Sequence, residues 1–305
     1  MLPGLYLVNG MTRSAFISAL LLLVGPLSAF AAEQKIRVSS FSTILTEVAQ
    51  QVGGERVEVT AHVKPGVDPH DFEPKPSDMR AVAAADLVLL SAKHMEGYLA
   101  RLKEATGAKG NVLEVGNALP SLKLTVQHGD HSHDGEDPHW WHSVRNIARA
   151  TKLVRDELIR LSPADKAAFT TATSAYLGKL EALDKWVKTK VAELPRDKRK
   201  LVTNHDAFGY FAKEYGFTVM PIDGVSKNAQ PGSKAVVEMI AAIKDAGVKA
   251  VFSEDVANPK VIQEITKETG AKFGGELLSD GLGRDGATVE EMFKHNVTTI
   301  VDALK

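Results

Sequence analysis

The chain of 305 residues contains no cysteine. That excludes disulfides, thiolate zinc sites and iron–sulfur clusters, and it leaves His, Asp and Glu as the strong metal ligands. An excess of either charge is missing too. Lys and Arg number 37 against 38 Asp and Glu, for a formal net charge of −1. Binding to nucleic acid needs a basic patch, and nothing in this balance argues for one. Neither an HExxH motif nor a G-x-S-x-G elbow occurs, so two hydrolase signatures are absent. Long apolar runs are scarce. The one at the N-terminus, Ala15 to Leu23, falls short of the ~20 residues that span a bilayer. Arg13 precedes it and Ala29-Phe30-Ala31 follows with small-x-small spacing, the pattern of a cleaved signal peptide. Residues 1–32 are therefore expected to be a signal peptide, with Met11 as an alternative start. The mature protein is expected to be exported and soluble from about Ala32 or Glu33.

What the chain does have is a concentration of imidazole. Residues His128 to His142 read HGDHSHDGEDPHWWH and hold five of the ten histidines: His128, His131, His133, His139 and His142. Neutral imidazole suits zinc, copper, nickel and iron. The part from His128 to Glu136 has no apolar residue and cannot pack a core, so residues 127–136 are expected to be a mobile, solvated loop. Beyond it, Asp137-Pro138 is a turn signal, and Trp140-Trp141 is the only paired tryptophan. A histidine between proline and a large ring can be held in one geometry. The stretch thus reads as a flexible collector of metal joined to a rigid ligand, or else as a surface loop that happens to be rich in histidine.

Along the chain, strand patterns alternate with helical ones. Lys35–Ser39, Val57–Val63, Asp86–Leu90 and Asn111–Val115 read as strands. Phe41–Val52, Asp78–Ala85 (with Ser77 as N-cap) and Met95–Thr106 read as helices. The proline-dense segment Lys64 to Asp78 is a loop with a fixed path. Val144–Leu161 is amphipathic. Ser162-Pro163 then opens a helix to about Leu194, ~45–50 Å long at ~1.5 Å per residue. That length suits a connection between two lobes. The alternation resumes after Pro195 with strands at Lys200–Thr203, Thr218–Ile222, Ala250–Phe252 and Lys272–Phe273. Helices are expected over Ser233–Ala246, Pro259–Thr269 and Thr288–Leu304. The expected fold is α/β: two similar lobes, 33–161 and 195–305, each a mainly parallel sheet flanked by helices, joined by the long helix 162–194. The length allows two ordinary cores.

In open α/β sheets, ligands gather at the carboxyl ends of the strands. Four candidate ligands lie in four loops that follow a strand or precede a helix: His70, His139, His205 and Asp280. Three imidazoles and one carboxylate can close a four-coordinate zinc shell. His62 and His94 are read as structural or exposed. Glu254 and Asp206 could orient an imidazole N–H. Phe72, Trp140, Trp141, Phe208 and Tyr210 could line a cleft or belong to the core.

Five segments carry a resemblance to a known family: Asp68-Pro-His70-Asp-Phe-Glu-Pro-Lys-Pro-Ser-Asp78, Asp137-Pro-His139-Trp-Trp141, Thr203-Asn-His205-Asp-Ala-Phe-Gly-Tyr-Phe211, Ser253-Glu254 and Leu278-Ser-Asp280. The chain resembles a metal-specific solute-binding protein of an ABC importer, in the group that carries zinc or manganese. The resemblance covers essentially the whole mature chain. It implies two lobes on one long helix, a metal in the cleft between them, and His70, His139, His205 and Asp280 as the ligands. Zinc members carry histidine at the third position and manganese members usually glutamate. His205 and the histidine-rich loop therefore favour zinc. His142 departs from the pattern, since an apolar residue is usual there. It stands as an alternative or auxiliary ligand beside His128, His131 and His133, or as a polar neighbour. The implied function is periplasmic capture of zinc and delivery to the transmembrane subunits of an ABC permease, with a periplasmic zinc chaperone as a further partner, by a monomer. The alternatives are a manganese or iron carrier or adhesin of the same fold, and a zinc hydrolase.

Overall fold

The computed structural model describes residues 34–107, 111–128, 131–222, 233–254, 259–283 and 288–305. The expected signal peptide, and with it the choice of start, lies outside these residues.

The first lobe opens with β1 (Ile36–Ser40), α1 (Thr43–Gly53), β2 (Val57–Ala61), α2 (Pro76–Ala84), β3 (Leu87–Leu90), α3 (Leu99–Thr106) and β4 (Val112–Glu114). Its sheet runs in the order β2-β1-β3-β4 with every pairing parallel. A two-stranded hairpin follows, β5 (Lys123–His128) with β6 (His131–Glu136), and then α4 (Val144–Leu161) and α5 (Lys166–Val191). The second lobe has β7 (Lys200–Thr203), α6 (Gly209–Tyr215), β8 (Thr218–Pro221), α7 (Ser233–Ala246), β9 (Ala250–Glu254), α8 (Pro259–Thr269), β10 (Lys272–Leu277) and α9 (Val289–Leu304). Its sheet order is β10-β9-β7-β8, again parallel. The expected α/β class and both parallel sheets are present.

Strand periodicity explains how the cores divide. Successive side chains of a strand face opposite sides of the sheet. Leu87 and Leu89 enter the large central core, while Val88 and Leu90 enter a smaller cluster with Phe41 and Leu102. In the second lobe Leu201, Ala250 and Phe252 face the central core, and Val202 and Val251 face a satellite with Ile265. The length would allow two ordinary cores, yet the lobes share one. One core runs through both lobes, because α5 packs on α1 and α4 on one side and on α9 on the other. Its buried residues Phe169, Thr173, Tyr176, Leu180, Leu183, Val187 and Val191 recur at steps of three and four.

Other boundaries also differ from expectation. Helix α5 has 26 residues, ~39 Å. Pro163–Asp165 forms a 3₁₀ turn ahead of it, and Pro195 prevents continuation beyond Leu194. The cap of α2 is Lys75 rather than Ser77. Pro76 takes the first helical position, and the Asp78 carboxylate accepts the Lys75 N–H at 2.7 Å. Helix α3 starts at Leu99 rather than Met95, because Ala92, Lys93 and His94 have left-handed φ values of 65°, 54° and 67°. The buried Glu96 carboxylate holds that turn by accepting the N–H groups of Ser91 and Ala92 at 2.6 and 2.9 Å. The segment expected as a loop at 127–136 is instead paired backbone, with Val126 opposite His133 and His128 opposite His131. Its connection, Gly129-Asp130, lies outside the described residues. A Gly-Asp pair between two strands is a hairpin signal in its own right, and backbone pairing does not require apolar side chains.

Candidate metal centre

Four loops bring His70, His139, His205 and Asp280 together, and their ligand atoms all lie within 4.8 Å of one another. His70 lies between β2 and α2, His139 between the hairpin and α4, His205 just after β7 and Asp280 just after β10. The sheets are parallel, so the loops leaving the carboxyl ends of β2, β7 and β10 converge on one place.

Local bonds position the three histidines, at the backbone for His70 and at the ring as well for His139 and His205. The Asp68 carboxylate accepts the His70 backbone N–H at 2.9 Å. Asp137 does the same for His139 at 2.9 Å, and the same oxygen lies 2.9 Å from His139 Nδ1. Glu254, the last residue of β9, accepts the His205 N–H at 3.2 Å, and its other oxygen faces His205 Nδ1. With Nδ1 held by a carboxylate, Nε2 is left to point inward, the usual arrangement around a metal-ligating histidine. His70 Nε2 lies 3.2 Å from His139 Nε2. Asp280 Oδ1 lies 3.5, 3.6 and 3.4 Å from Nε2 of His70, His139 and His205. Ligands at ~2.0–2.1 Å from a tetrahedral zinc would stand ~3.3–3.4 Å apart. The separations of Asp280 from each imidazole, and of His70 from His139, suit a single small cation.

The cluster is dry. The side chains of His139 and His205 are 0% exposed and that of Asp280 3%, while His70 retains 11%. Burial holds His139 below the usual imidazole range against the opposing pull of Asp137, with His205 and His70 adding to the depression. Burial also disfavours charge on His205, but the carboxylates of Glu254 and Asp280 outweigh it and push that group up to about 10. The two carboxylates therefore favour positive charge at this centre.

The loop of Asp280 is fastened to the first lobe. Trp141 donates its indole N–H to the Ser279 carbonyl at 2.9 Å, and His142 Nε2 donates to the same oxygen at 2.7 Å. Thr43 Oγ1 accepts the Leu282 N–H at 3.0 Å. Gly281 has φ 153°, and a Cβ there would lie 2.4 Å from that hydroxyl. Glu47 accepts the Val289 N–H at 2.6 Å. His142 is consequently directed to a carbonyl and does not join the four. It packs on Phe208 at 4.4 Å between ring centroids, and burial with nearby His139 lowers it to about 4 against the Ser279 bond.

Sequence reasoning missed Asp137 and Asp68, taking the former as a turn signal. The recurrence of Asp-Pro-His could have revealed both. Asp206 makes no hydrogen bond to an imidazole among the described residues. Burial, and next the Asp137 carboxylate, raise it to about 6. His62 is buried against Phe41 with centroids 4.4 Å apart and meets Asp78 at 3.2 Å, and His94 is exposed. Phe72 belongs to the Phe41 cluster, and Trp140, Trp141, Phe208 and Tyr210 are buried in the central core. Among the described residues no helix is long and apolar enough to cross a membrane.

Two parallel α/β lobes on a long helix, with three imidazoles and a carboxylate buried between them, define a two-lobed metal-binding protein. The chain belongs to the family described as "Zinc-uptake complex component A periplasmic", whose profile matches residues 38–303. Proteins of this family are extracytoplasmic metal-binding components of ABC transporters and work with permease components rather than as enzymes. The chain is 34% identical to the manganese-binding lipoprotein MntA of Bacillus subtilis, over 90% of this chain and 91% of that one. It is 29% identical to the iron-binding protein YfeA of Yersinia pestis, over 84% and 81%. The structure of the periplasmic zinc-binding protein TroA of Treponema pallidum superposes with a TM-score of 0.80 at 30% identity, covering 89% of this chain and 99% of that one.

Proposed function

We propose that the cargo is zinc, held by His70, His139, His205 and Asp280, captured in the periplasm and passed to the membrane subunits of an ABC permease. The observation that carries this reading is the meeting of three imidazoles and one carboxylate, whose Oδ1 stands 3.4–3.6 Å from the Nε2 of all three histidines. Three nitrogens and one oxygen suit zinc better than manganese, which prefers oxygen-rich shells. Copper outranks zinc at most nitrogen sites, so selectivity rests on the tetrahedral cage and on which metal is available. A hydrolytic zinc keeps one position open for water. In this reading Asp280 takes that position, which argues against hydrolysis. In this reading the protein is a monomer, the histidines at 128, 131 and 133 serve as weak auxiliary ligands, and a periplasmic chaperone is a further source of metal.

A second reading, manganese or iron as cargo, is favoured by the names of two relatives, MntA and YfeA. Elemental analysis of protein purified from its own exported compartment, with competition titration of zinc against manganese, separates the two. The zinc reading expects one zinc per chain that manganese in large excess does not displace. Manganese or iron in the isolated protein, together with ready displacement of zinc, would overturn it.

A further inference from the structure

A pocket of about 260 Å³ is lined by none of the four candidate ligands and by residues from both sides of the chain's midpoint. Ser121 contributes from the foot of the hairpin, Arg145 and Arg149 from the first turns of α4, and Tyr210, Lys213 and Glu214 from α6. Three cations thus face one carboxylate. Glu214 is engaged by Arg145 Nε at 2.8 Å and by the Ser143 hydroxyl. Arg149 meets the amide oxygen of Asn146 at 2.8 Å, and among the described residues neither it nor Lys213 forms an ion pair. Two positive charges in a concave pocket focus a field that draws in an anionic group.

The wall of this pocket is connected to the candidate metal centre. The Tyr210 hydroxyl accepts the Leu122 N–H at 3.1 Å and lies 3.2 and 3.1 Å from the carbonyls of Pro120 and Asp137. Asp137 in turn holds the His139 ring. Gly209 begins the same helix as Tyr210, and a Cβ there would stand 2.7 Å from Asp137 Oδ2. Because α6 belongs to the second lobe and Ser121 and α4 to the first, the pocket keeps this shape only while the lobes are juxtaposed as seen.

We propose that this pocket is the docking site for a carboxylate side chain on an outward-facing acidic segment of the membrane permease. The inference rests on the transport reading above. Charge complementarity selects the occupant, and the two-sided construction lets the partner distinguish the closed protein from one with its lobes displaced. Neither Arg149 nor Lys213 is among the four candidate ligands, so docking and metal binding can be tested separately.

The test reconstitutes the mature protein with its cognate transporter in liposomes. It reads ATP hydrolysis against the concentration of zinc-loaded binding protein. The double reversal R149E/K213E should raise the half-saturating concentration about tenfold or more while zinc affinity stays at the wild-type value. R149A/K213A should shift it the same way by less, and R149K/K213R should restore it. Added salt should weaken the wild-type response and barely affect the reversed variant. Half-saturation unchanged by the reversal overturns the proposal. So does a variant that loses only binding of inorganic phosphate, measured by calorimetry, since the pocket is then a small-anion site. If wild-type protein binds zinc but never stimulates the transporter, the transport reading fails first, visibly and before any variant is compared.

Discussion

The tripeptide Asp-Pro-His occurs at residues 68–70 and again at 137–139, and in both places the aspartate accepts the histidine backbone N–H at 2.9 Å. There the likeness stops. Asp137 also grips the His139 ring, Trp141 packs 5.4 Å from it, and the side chain is 0% exposed. His70 sits in a proline-bounded loop and remains 11% exposed. One tripeptide therefore yields a locked imidazole inside the core and an accessible one at the rim. The loop conformation follows from local chemistry, namely an aspartate that caps its own turn and a proline that fixes φ. Whether the ring is immobilised depends on what packs around it.

The comparison is sharpened first by the largest effect. If His139 and His205 bind the metal directly, replacing either with Ala removes a ligand. Zinc affinity should fall by more than the ~10–100-fold that loss of an outer partner typically costs, measured by competition with a chelator of known affinity. Retention of affinity by the His139→Ala protein would move the ligand set elsewhere. The second effect separates the two aspartates. Asp137→Asn should weaken zinc ~10–100-fold, because it disturbs ring orientation and tautomer. Asp68→Asn should cost less, and equal losses would break the distinction drawn between the two loops.

The third prediction concerns pH and divides into two windows. His205 is pushed up to about 10, against ~6.5 in an unfolded chain. In the metal-free protein its contribution to stability is full below ~6.5 and is lost as pH rises toward 10. His142 has the opposite sign. Its folded value of about 4 means that the unfolded chain binds more protons between ~6.5 and 4. Metal-free protein should therefore lose up to ~3 kcal/mol as pH falls through that window. Denaturant titrations of wild type and His142→Leu check this. The variant should lose the acid slope at a roughly constant cost of about 0.5–1.5 kcal/mol for the lost hydrogen bond, since Trp141 still donates to the Ser279 carbonyl. Near pH 7.5, zinc binding should release about one proton, chiefly from His205, seen as a buffer-dependent enthalpy.

The smallest effect is expected at the hairpin. Deleting Gln127 to Gly135 should leave one tight site with nearly unchanged affinity, since the four cleft ligands are fixed by other elements. It should abolish weaker binding and slow acquisition from scarce zinc, an effective-concentration effect read by stopped-flow transfer. Loss of the tight site would make the hairpin histidines direct ligands.

The alternation of strands and helices and the long helix are legible from residue patterns, and the four candidate ligands from the resemblance those motifs carry. The alternation is a local matter of period 2 against 3.6, and His70, His139, His205 and Asp280 announce themselves by falling in loops at strand ends. What failed was of two kinds. The start of α3 was misplaced because a buried Glu96 stabilises a left-handed turn over Ala92 to His94 that composition does not encode. The polarity of residues 127–136 favours a loop, whereas the Gly129-Asp130 pair signals the hairpin pairing that forms.

His142 marks the boundary between the two kinds of information. Its neighbourhood in sequence made it a plausible ligand three residues from His139, and nothing local distinguished the two. Their fates diverge because Asp137 turns one ring toward the centre, whereas the Ser279 carbonyl, 137 residues away, takes the other. The sequence alone determined which residue types could bind a cation and which loops would carry them, since those follow from side-chain chemistry and short-range periodicity. Only the tertiary structure decided which nitrogens meet, which carboxylate orients each ring and how much water reaches them. Each of those depends on contacts between distant segments, where burial converts a weak polar preference into a fixed geometry.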